Sequence, residues 1–329
     1  MIELERRRLV ISAAGLAICG AATTRLLPEE IVLRDRRPTR SLVAILSAEH
    51  YSEDLVDLIS SGLRDFGLNL REKSVLLKPN LVEYIAGVEV NTNPVLVAAA
   101  AEAFLRLGAR RVVVGEGPGH QRDTHLVLAE SGLTAQLRGQ KIDFIDLNRD
   151  QLIRVPTRAS FTGLDHLWLP RTVLASDFIV SMPKIKTHHW AGVTLSMKNM
   201  FGIVPGTKYG WPKNVLHWKG IHRSILDICA TVPIQFVIAD GVIAMEGNGP
   251  LHGSHRHLGK IVLANDPVAA DFVCARLMGL NPSSVWHLDR AARFLGNGTG
   301  RIDFIGERLP QHVVPFDVLP EFAHLQIRA

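Results

Sequence analysis

The chain has 329 residues, of which 47% are hydrophobic and 21% charged, and its formal net charge is +5. These values are ordinary for a globular protein and allow one large core or two closely joined lobes. Much of the positive excess lies in arginines before residue 41, and the remainder is mixed in sign, so no nucleic-acid-binding surface is predicted. Cys19, Cys229 and Cys274 form no CxxC pair, which argues against an iron–sulfur cluster or a zinc site held by cysteine.

The N-terminus has the pattern of a targeting segment. Arg6, Arg7 and Arg8 lead into a modest apolar run that ends in small residues near position 22. Paired arginines before a weak apolar run resemble a twin-arginine signal. We therefore predict a signal at residues 1–22, a linker at 23–40 and a single α/β domain at 41–329. The protein is expected to use the twin-arginine export machinery and reach the periplasm, touching the membrane only through a cleaved or retained signal.

Short apolar runs alternate with amphipathic stretches from residue 41 onward. Strands are predicted at residues 41–46, 74–77, 110–114 and 142–146, and helices at residues 52–66, 93–107 and near 124–131. Gly108 follows the Ala-rich second helix, as expected at a helix C-terminus.

The same alternation continues in the second half. Strands are predicted at residues 177–181, 235–240 and 260–264, and helices at residues 221–230 and 267–278. Asp266, just before Pro267, is predicted to cap the last helix rather than to bind a metal. Strands that alternate with helices of this length favour an α/β fold with a mostly parallel, doubly wound sheet and helices on both faces. The Lys/His-rich residues 182–214 are predicted as an active-site region inserted into this fold.

Four polar segments follow predicted strands. They are Lys78-Pro79-Asn80, Gly115 to His120, Lys184 to His188, and Asp240-Gly241. In open α/β sheets, ligands bind beyond the carboxyl ends of the strands. The four segments are therefore expected to converge on one rim.

Basic side chains are concentrated between Lys184 and Gly202. Three lysines and two histidines lie there among few acidic residues, which suits a phosphate, a carboxylate or another small anion as the ligand. The residues predicted to bind this ligand or a cofactor are Lys78, Asn80, Lys184, Lys186, Lys198 and Asn199. Histidine serves as a base, a proton shuttle or a metal ligand near neutral pH. His252, His255 and His257, further along, are interpreted as a mobile loop.

The segment from Gly115 to His120 is typical of a glycine-rich anion loop, although it matches neither GxGxxG nor a Walker sequence. The backbone amides of Gly117 and Gly119 are predicted to cradle an oxyanion. Among the carboxylates, Asp240 and Glu246 are the candidates for orienting a histidine or binding a cation.

Several of these segments together resemble the family called domain of unknown function 362. The resemblance rests on Leu77 to Asn80, Pro183 to His188, Lys198 to Gly202, Asp240-Gly241, Glu246 to Pro250, and Asp266 to Asp271, which occur in the family's order. Many members of that family carry a ferredoxin-like cluster segment. This chain lacks that segment, so no iron–sulfur cluster is expected.

A weaker resemblance concerns the nickel-pincer lactate racemase family. His188 stands before Ala191-Gly192, Lys198 follows ten residues after His188, and His217 lies further along. The resemblance implies that Lys198 holds a cofactor covalently and that His217 binds a metal. It also implies that His120 and His188 act as acid and base. Asp240 and Glu246 are the further candidate metal ligands. The divalent metal and the cofactor itself stay open.

The sequence leaves three functions in competition. The preferred hypothesis is an enzyme that acts on a small anionic substrate by His/Lys acid–base chemistry, with racemase-like or epimerase-like activity. A non-catalytic anion- or metal-binding protein would use the same basic site. An electron-transfer accessory protein that lacks its cluster is the third hypothesis.

Overall fold

The computed structural model describes residues 35–119 and 123–327. Its strands are β1 (Ser41–Ser47), β2 (Ser74–Pro79), β3 (Arg111–Glu116), β4 (Asp143–Asp146), β5 (Leu152–Pro156), β6 (His166–Pro170), β7 (Phe178–Met182), β8 (Lys184–His188), β9 (Gly192–Thr194), β10 (Phe236–Glu246), β11 (Ser254–Ala264) and β12 (Ile302–Gly306). The α-helices are α1 (Leu55–Arg64), α2 (Pro94–Arg106), α3 (Thr124–Glu130), α4 (Leu133–Gln140), α5 (Arg171–Ala175), α6 (Ser196–Asn199), α7 (Gly206–Tyr209), α8 (Asn214–Trp218), α9 (Ile221–Thr231), α10 (Pro267–Leu277) and α11 (Trp286–Ala291). Short 3₁₀ helices span Met200–Ile203, Pro282–Ser284 and Pro320–Leu325.

One large sheet organises the described residues. Its strand order is β12-β1-β11-β10-β7-β2-β3-β4, and β8 and β9 extend from β10. The neighbours from β10 through β7, β2 and β3 to β4 are parallel, whereas β11 runs antiparallel to both β1 and β10. The fold is thus mixed α/β with a mostly parallel central sheet, as the alternation of strands and helices predicts.

Alternating side chains divide the core between the two faces of the sheet. In β2, Val75 and Leu77 pack on the face covered by α1, α2 and α4, whereas Leu76 packs on the face covered by α9, α10 and α11. This alternation follows from the two-residue repeat of a strand. The predicted helices on both faces are therefore present.

Two of the longer helices begin with a side-chain cap. The side chain of Asp266 accepts a hydrogen bond from the Val268 amide at 2.8 Å, which confirms the predicted cap of α10. Asn93 caps α2 in the same way, at 2.9 Å from the Val95 amide. None of the helices in the described ranges is long and apolar enough to cross a membrane.

One local prediction was wrong, and one strand was not predicted. His255 and His257 lie in β11, paired with Met245 and Ile243 of β10, and not in a mobile loop. Within the predicted active-site region at residues 182–214, β8 continues the central sheet beside β10. In both places glycine, lysine and histidine obscured a strand because neighbouring strands, and not local preference, fix the extended backbone.

Candidate active site

A cavity of about 180 Å³ opens beyond the carboxyl ends of β2 and β3. Lys78 and Glu116 come from those strand ends, Lys186 and His188 from β8, and Thr194 from the end of β9. The remaining polar side chains of its wall are Asn80, His189, Lys198, Asn199, Lys213 and His217. This location is where open α/β sheets place their ligands.

The floor of the cavity is a buried ion pair. The Lys78 ammonium donates to the Glu116 carboxylate, to Asn199 Oδ1 at 2.7 Å and to the Pro79 carbonyl at 2.9 Å, so its three protons are all used. Glu116 also accepts from the Gly117 amide at 2.8 Å and the Leu81 amide at 3.2 Å. Burial lowers the pKa of Lys78, and the Glu116 charge opposes that shift. A paired and fully hydrogen-bonded lysine of this kind orders the site rather than reacting in it.

Gly202 makes the close packing around this pair possible. A Cβ atom there would lie 1.8 Å from Glu116 Oε1 and 2.3 Å from Lys78 Nζ. The Gly202 carbonyl also accepts from the Gly117 amide at 3.0 Å, which joins the glycine loop after β3 to the turn after α6. The Gly117 amide is therefore committed within the protein and does not cradle an external anion, contrary to the sequence prediction.

Two further lysines are held rigidly by backbone carbonyls. Lys213 donates to the Gly117 carbonyl at 2.8 Å and the Phe201 carbonyl at 2.6 Å. Lys186 donates to the Val90 carbonyl at 2.8 Å and the Pro250 carbonyl at 3.3 Å. Burial lowers the pKa of Lys213 to about 7 and the pKa of Lys186 well below its usual value. The protonated form of each lysine is therefore unfavourable unless an anion binds beside it.

Lys198 differs from the other lysines of the cavity. Its ammonium lies 4.6 Å from the centroid of the Phe201 ring and makes no hydrogen bond to any residue in the described ranges. Burial, and secondarily the Lys78 charge, lowers the pKa of Lys198 to about 8. An amine that titrates near neutral pH and has no protein partner is available to a ligand, as a cation or as a nucleophile.

Asp271 fixes the backbone turn that carries Lys198. Its carboxylate accepts from the Ser196 amide at 2.7 Å, the Ser196 hydroxyl at 2.6 Å and the Met197 amide at 3.0 Å. Burial raises the pKa of Asp271 to about 7, although these hydrogen bonds favour its ionised form. Because one buried carboxylate accepts all three hydrogen bonds, it fixes the orientation of α6 toward the cavity.

The hydrogen bonds of His188 define its tautomer. Nδ1 accepts from the Trp190 amide at 3.0 Å and the Ala191 amide at 3.2 Å, so the proton of the neutral ring is on Nε2. Burial, followed by the Lys198 charge, lowers the pKa of His188 well below its usual value and keeps the ring neutral. In this conformation Nε2 carries the proton, so His188 is a hydrogen-bond donor. A metal bound at Nε2 would need a lone pair there and the ring proton on Nδ1 instead, so His188 is not a metal ligand in this conformation.

His217 and His189 have the opposite arrangement. Nδ1 of His217 donates to the Lys213 carbonyl at 3.1 Å, and Nδ1 of His189 donates to the Gly249 carbonyl at 2.9 Å. Each ring therefore has a lone pair on Nε2. Burial, and then the Lys198 charge, lowers the pKa of His217 to about 4, so this ring is neutral at physiological pH. Trp190 packs edge-on against His217, with the ring centroids 5.1 Å apart.

Three predicted site residues lie elsewhere. Lys184 pairs with Asp240 at 2.9 Å, and Asp240 also accepts from Tyr51 at 2.7 Å and from the Asn93 amide at 2.9 Å. Asp240 shares the alternation of Phe236 and Ile238, which places it on the α1–α2 face of the sheet. Glu246 faces Arg256 at 3.5 Å.

The predicted metal site of His217, Asp240 and Glu246 is therefore wrong as a common site. Within residues 35–119 and 123–327, His, Cys, Asp and Glu side chains form no group of three that could hold a metal ion. The thiols of Cys229 and Cys274 are buried, and burial raises their pKa well above the usual value, as fits packing residues. His120 lies outside the described residues.

The cavity brings together most of the other predicted residues, namely Lys78, Asn80, Gly117, Gly119, Lys186, His188, Lys198, Asn199 and His217. Sequence reasoning missed Glu116 and Lys213. Glu116 could have been predicted, because it stands between a predicted strand and the glycine loop. Lys213 had no local signal, since only the fold brings α8 beside that loop.

Comparisons with known proteins identify the family of this chain. The profile of the family described as domain of unknown function 362 matches residues 75–276. A thylakoid-associated protein of Synechocystis sp. is 30% identical over 217 residues, which are 64% of this chain and 64% of that protein. The match thus spans less than two thirds of that relative's length.

Two solved structures align with this chain at low identity. The lactate racemase apoprotein of Thermoanaerobacterium thermosaccharolyticum aligns with a TM-score of 0.43 at 12% identity, over 68% of this chain and 54% of that one. A protein of Thermotoga maritima aligns with a TM-score of 0.40 at 11% identity, over 76% of this chain and 61% of that one.

Proposed function

This chain belongs to the family called domain of unknown function 362, and we propose that it is an enzyme acting on a small anionic substrate by His/Lys acid–base chemistry. One observation carries the proposal: the cavity contains the Lys198 ammonium beside the His217 imidazole, and neither this ammonium nor Nε2 of His217 has a hydrogen-bond partner among the described residues. The first group attracts an anion, and the second accepts a proton from it.

The side chains divide into two roles. Lys198, Lys186 and the Nε2–H of His188 hold the anionic group of the substrate, because all three are donors in the neutral or protonated states described above. His217 acts as the base through Nε2, with its ring held by the Lys213 carbonyl. A bound anion next to His217 raises the pKa of its ring toward neutrality, which brings the base into its working range.

A cofactor on Lys198 is a narrower form of the same proposal. The partnerless amine of Lys198 and the free Nε2 of His217 fit a cofactor that brings most of its own metal ligands, whereas a metal held by protein side chains alone does not fit the described residues. Such a group would supply Lewis-acid chemistry in the cavity. An intact mass of protein from its native host, compared with that of Lys198→Arg, tests whether Lys198 carries an added group.

Proton exchange tests the acid–base proposal before the substrate is identified. We expect the protein to exchange the α-hydrogen of at least one small hydroxy or keto acid with D₂O, as followed by NMR. His217→Gln should lower this rate by roughly 10²–10⁴. His324→Gln is the matched control, since exposed His324 also donates Nδ1 to a carbonyl, that of Glu321, at 2.9 Å. Exchange that survives His217→Gln would contradict the role of His217.

A non-catalytic anion-binding protein is the second candidate. Lys186 and Lys213 are each held by two backbone carbonyls, which is the rigidity expected of a preformed binding site. In that case anions would bind without any α-hydrogen exchange, and His217→Gln would change only affinity.

Export through the twin-arginine route stays a proposal on the pattern at residues 6–22, which lie outside the described residues. Replacing Arg6 and Arg7 by lysine should retain the protein in the cytoplasm of its native host. Fractionation of the wild-type protein and the variant measures this, and an unchanged distribution would contradict the proposal.

A further inference from the structure

The donors of the cavity outnumber what a singly charged ligand can use. Protonated Lys198 has three N–H groups without a partner in the described ranges, and Lys186 and Lys213 each gain one beyond their two carbonyl bonds when a bound anion favours their protonated forms. The Nε2–H of His188 adds another donor. One carboxylate offers about four lone-pair sites, so it would leave some of these donors unsatisfied.

Two further polar atoms of the cavity wall lack partners. Thr194 Oγ1 and Asn80 Oδ1 are buried and form no hydrogen bond within the part of the chain that the structure describes. Thr194 stands directly across the β8–β9 pair from Lys186. Buried polar atoms without partners are rare in native proteins. An oxygen atom of an anionic ligand would accept from the Thr194 hydroxyl, whereas Asn80 Oδ1 is itself an acceptor and needs a donor.

The charges of the wall point the same way. Lys78, Lys186, Lys198 and Lys213 line the cavity, whereas Glu116 is the one carboxylate among its described lining residues. Glu116 is used by Lys78, so no wall carboxylate among the described residues remains to neutralise the other three lysines when they are protonated. Burial lowers the pKa of all three, and each negative charge that binds among them favours their protonated forms, so two charges are better matched to the site than one.

We infer that the cavity binds a dianionic ligand, a phosphoryl group or a dicarboxylate, in preference to any monoanion. The inference rests on the proposed anion site and narrows its ligand class. Lys198 and Lys186 contact the dianion from two sides, with the Thr194 hydroxyl and His188 Nε2–H completing its hydrogen bonds.

Matched anions test this inference by calorimetric titration of the full chain at pH 7. Sulfate and methyl sulfate have the same tetrahedral centre, and malonate and acetate share the carboxylate group, so each pair differs in charge. We expect the dianion of at least one pair to bind roughly tenfold or more tightly than its monoanion. Preference for sulfate would indicate a phosphoryl ligand, and preference for malonate would indicate a dicarboxylate.

Two substitutions in the cavity and one control outside it test whether the dianion preference arises in the cavity. Lys198→Met should remove most of the dianion preference. Lys208→Met should leave the preference unchanged, because Lys208 is exposed and does not line the cavity. It is a matched control, since its ammonium lies 4.7 Å from the Trp168 ring centroid, as that of Lys198 lies 4.6 Å from the Phe201 ring centroid. Thr194→Val, which is isosteric, should weaken dianion binding several-fold without loss of folding.

The possible results distinguish failure of the dianion inference from failure of the proposed anion site. Equal affinity for monoanions and dianions, lost in Lys198→Met, would overturn the dianion inference and keep the anion site. Dianion binding that persists in Lys198→Met and Thr194→Val would also overturn it, since the ligand would then bind elsewhere. No binding of any of the four anions to folded protein would overturn the proposed function as well.

Discussion

Replacing Glu116 by glutamine is the most direct test of the buried charge at the cavity floor. The Lys78–Glu116 pair has side chains only 1% and 2% exposed, so Glu116→Gln leaves the Lys78 cation without a counter-charge in a buried site. Removing one partner of a buried pair costs about 3–5 kcal/mol of folding free energy. Urea unfolding at pH 7, without added polyanions, measures the difference.

An exposed ion pair on the same sheet provides the control. Arg111 and Asp143 lie 2.8 Å apart at the other end of β3, with side chains 58% and 67% exposed. Asp143→Asn should therefore cost less than about 1 kcal/mol. The two substitutions remove the same type of charge, so their difference reports burial.

A double-mutant cycle completes the test. Lys78→Met in the Glu116→Gln background should recover at least about 2 kcal/mol relative to the sum of the single changes, because the unpaired cation is removed. A cost of Glu116→Gln as small as that of Asp143→Asn, with no recovery in the double variant, would refute the description of Lys78 as a buried cation held by Glu116.

Three further predictions follow from individual contacts. Gly202→Ala should destabilise the protein by about 3 kcal/mol or more in urea unfolding, because the added methyl group overlaps Glu116 and Lys78, whereas Gly139→Ala in α4, with no atom within 4 Å of its Cβ position, should be neutral or stabilise by up to about 1 kcal/mol. Folding raises the pKa of Asp271 from 3.8 to about 7, so its contribution to stability is present below pH 3.8 and is lost as the pH rises to about 7. The urea midpoint of the wild type relative to that of Asp271→Asn should therefore fall between pH 4 and 7. A constant difference between the two midpoints would contradict this prediction. Lys198 loses its charge above a pKa of about 8, so the sulfate affinity measured by calorimetry should fall as the pH rises above 8. A bound anion raises the pKa of Lys198, so the loss of affinity extends above pH 8, whereas Lys198→Arg should retain its affinity at pH 9.5. Equal losses in both proteins would exclude Lys198 as the titrating group.

Much of the fold follows from local pattern. The apolar runs of β1, β2, β3 and β7 and the predicted cap at Asp266 located their elements to within a few residues. These elements are encoded locally because burial on both faces demands continuous apolar residues, and a helix start demands a side-chain acceptor. The β5–β6 hairpin and the β8–β9 pair were missed, since their lysines, histidines and arginines give no such local pattern.

The sequence predicted that the site lies at strand ends, but it did not predict which side chains line the cavity. The sequence by itself determined that Lys78, Lys186 and His188 follow predicted strands, because these residues stand directly after apolar runs, and that Lys198 belongs to the same Lys/His-rich region. Only the tertiary structure decided that Lys184 and Asp240 pair on the α1–α2 face, that Glu116 neutralises Lys78, and that Lys213 joins the cavity. The physical reason is that the facing of a side chain depends on strand register and on contacts between segments distant in sequence. A shift of one residue in register moves a lysine from the cavity to the opposite face.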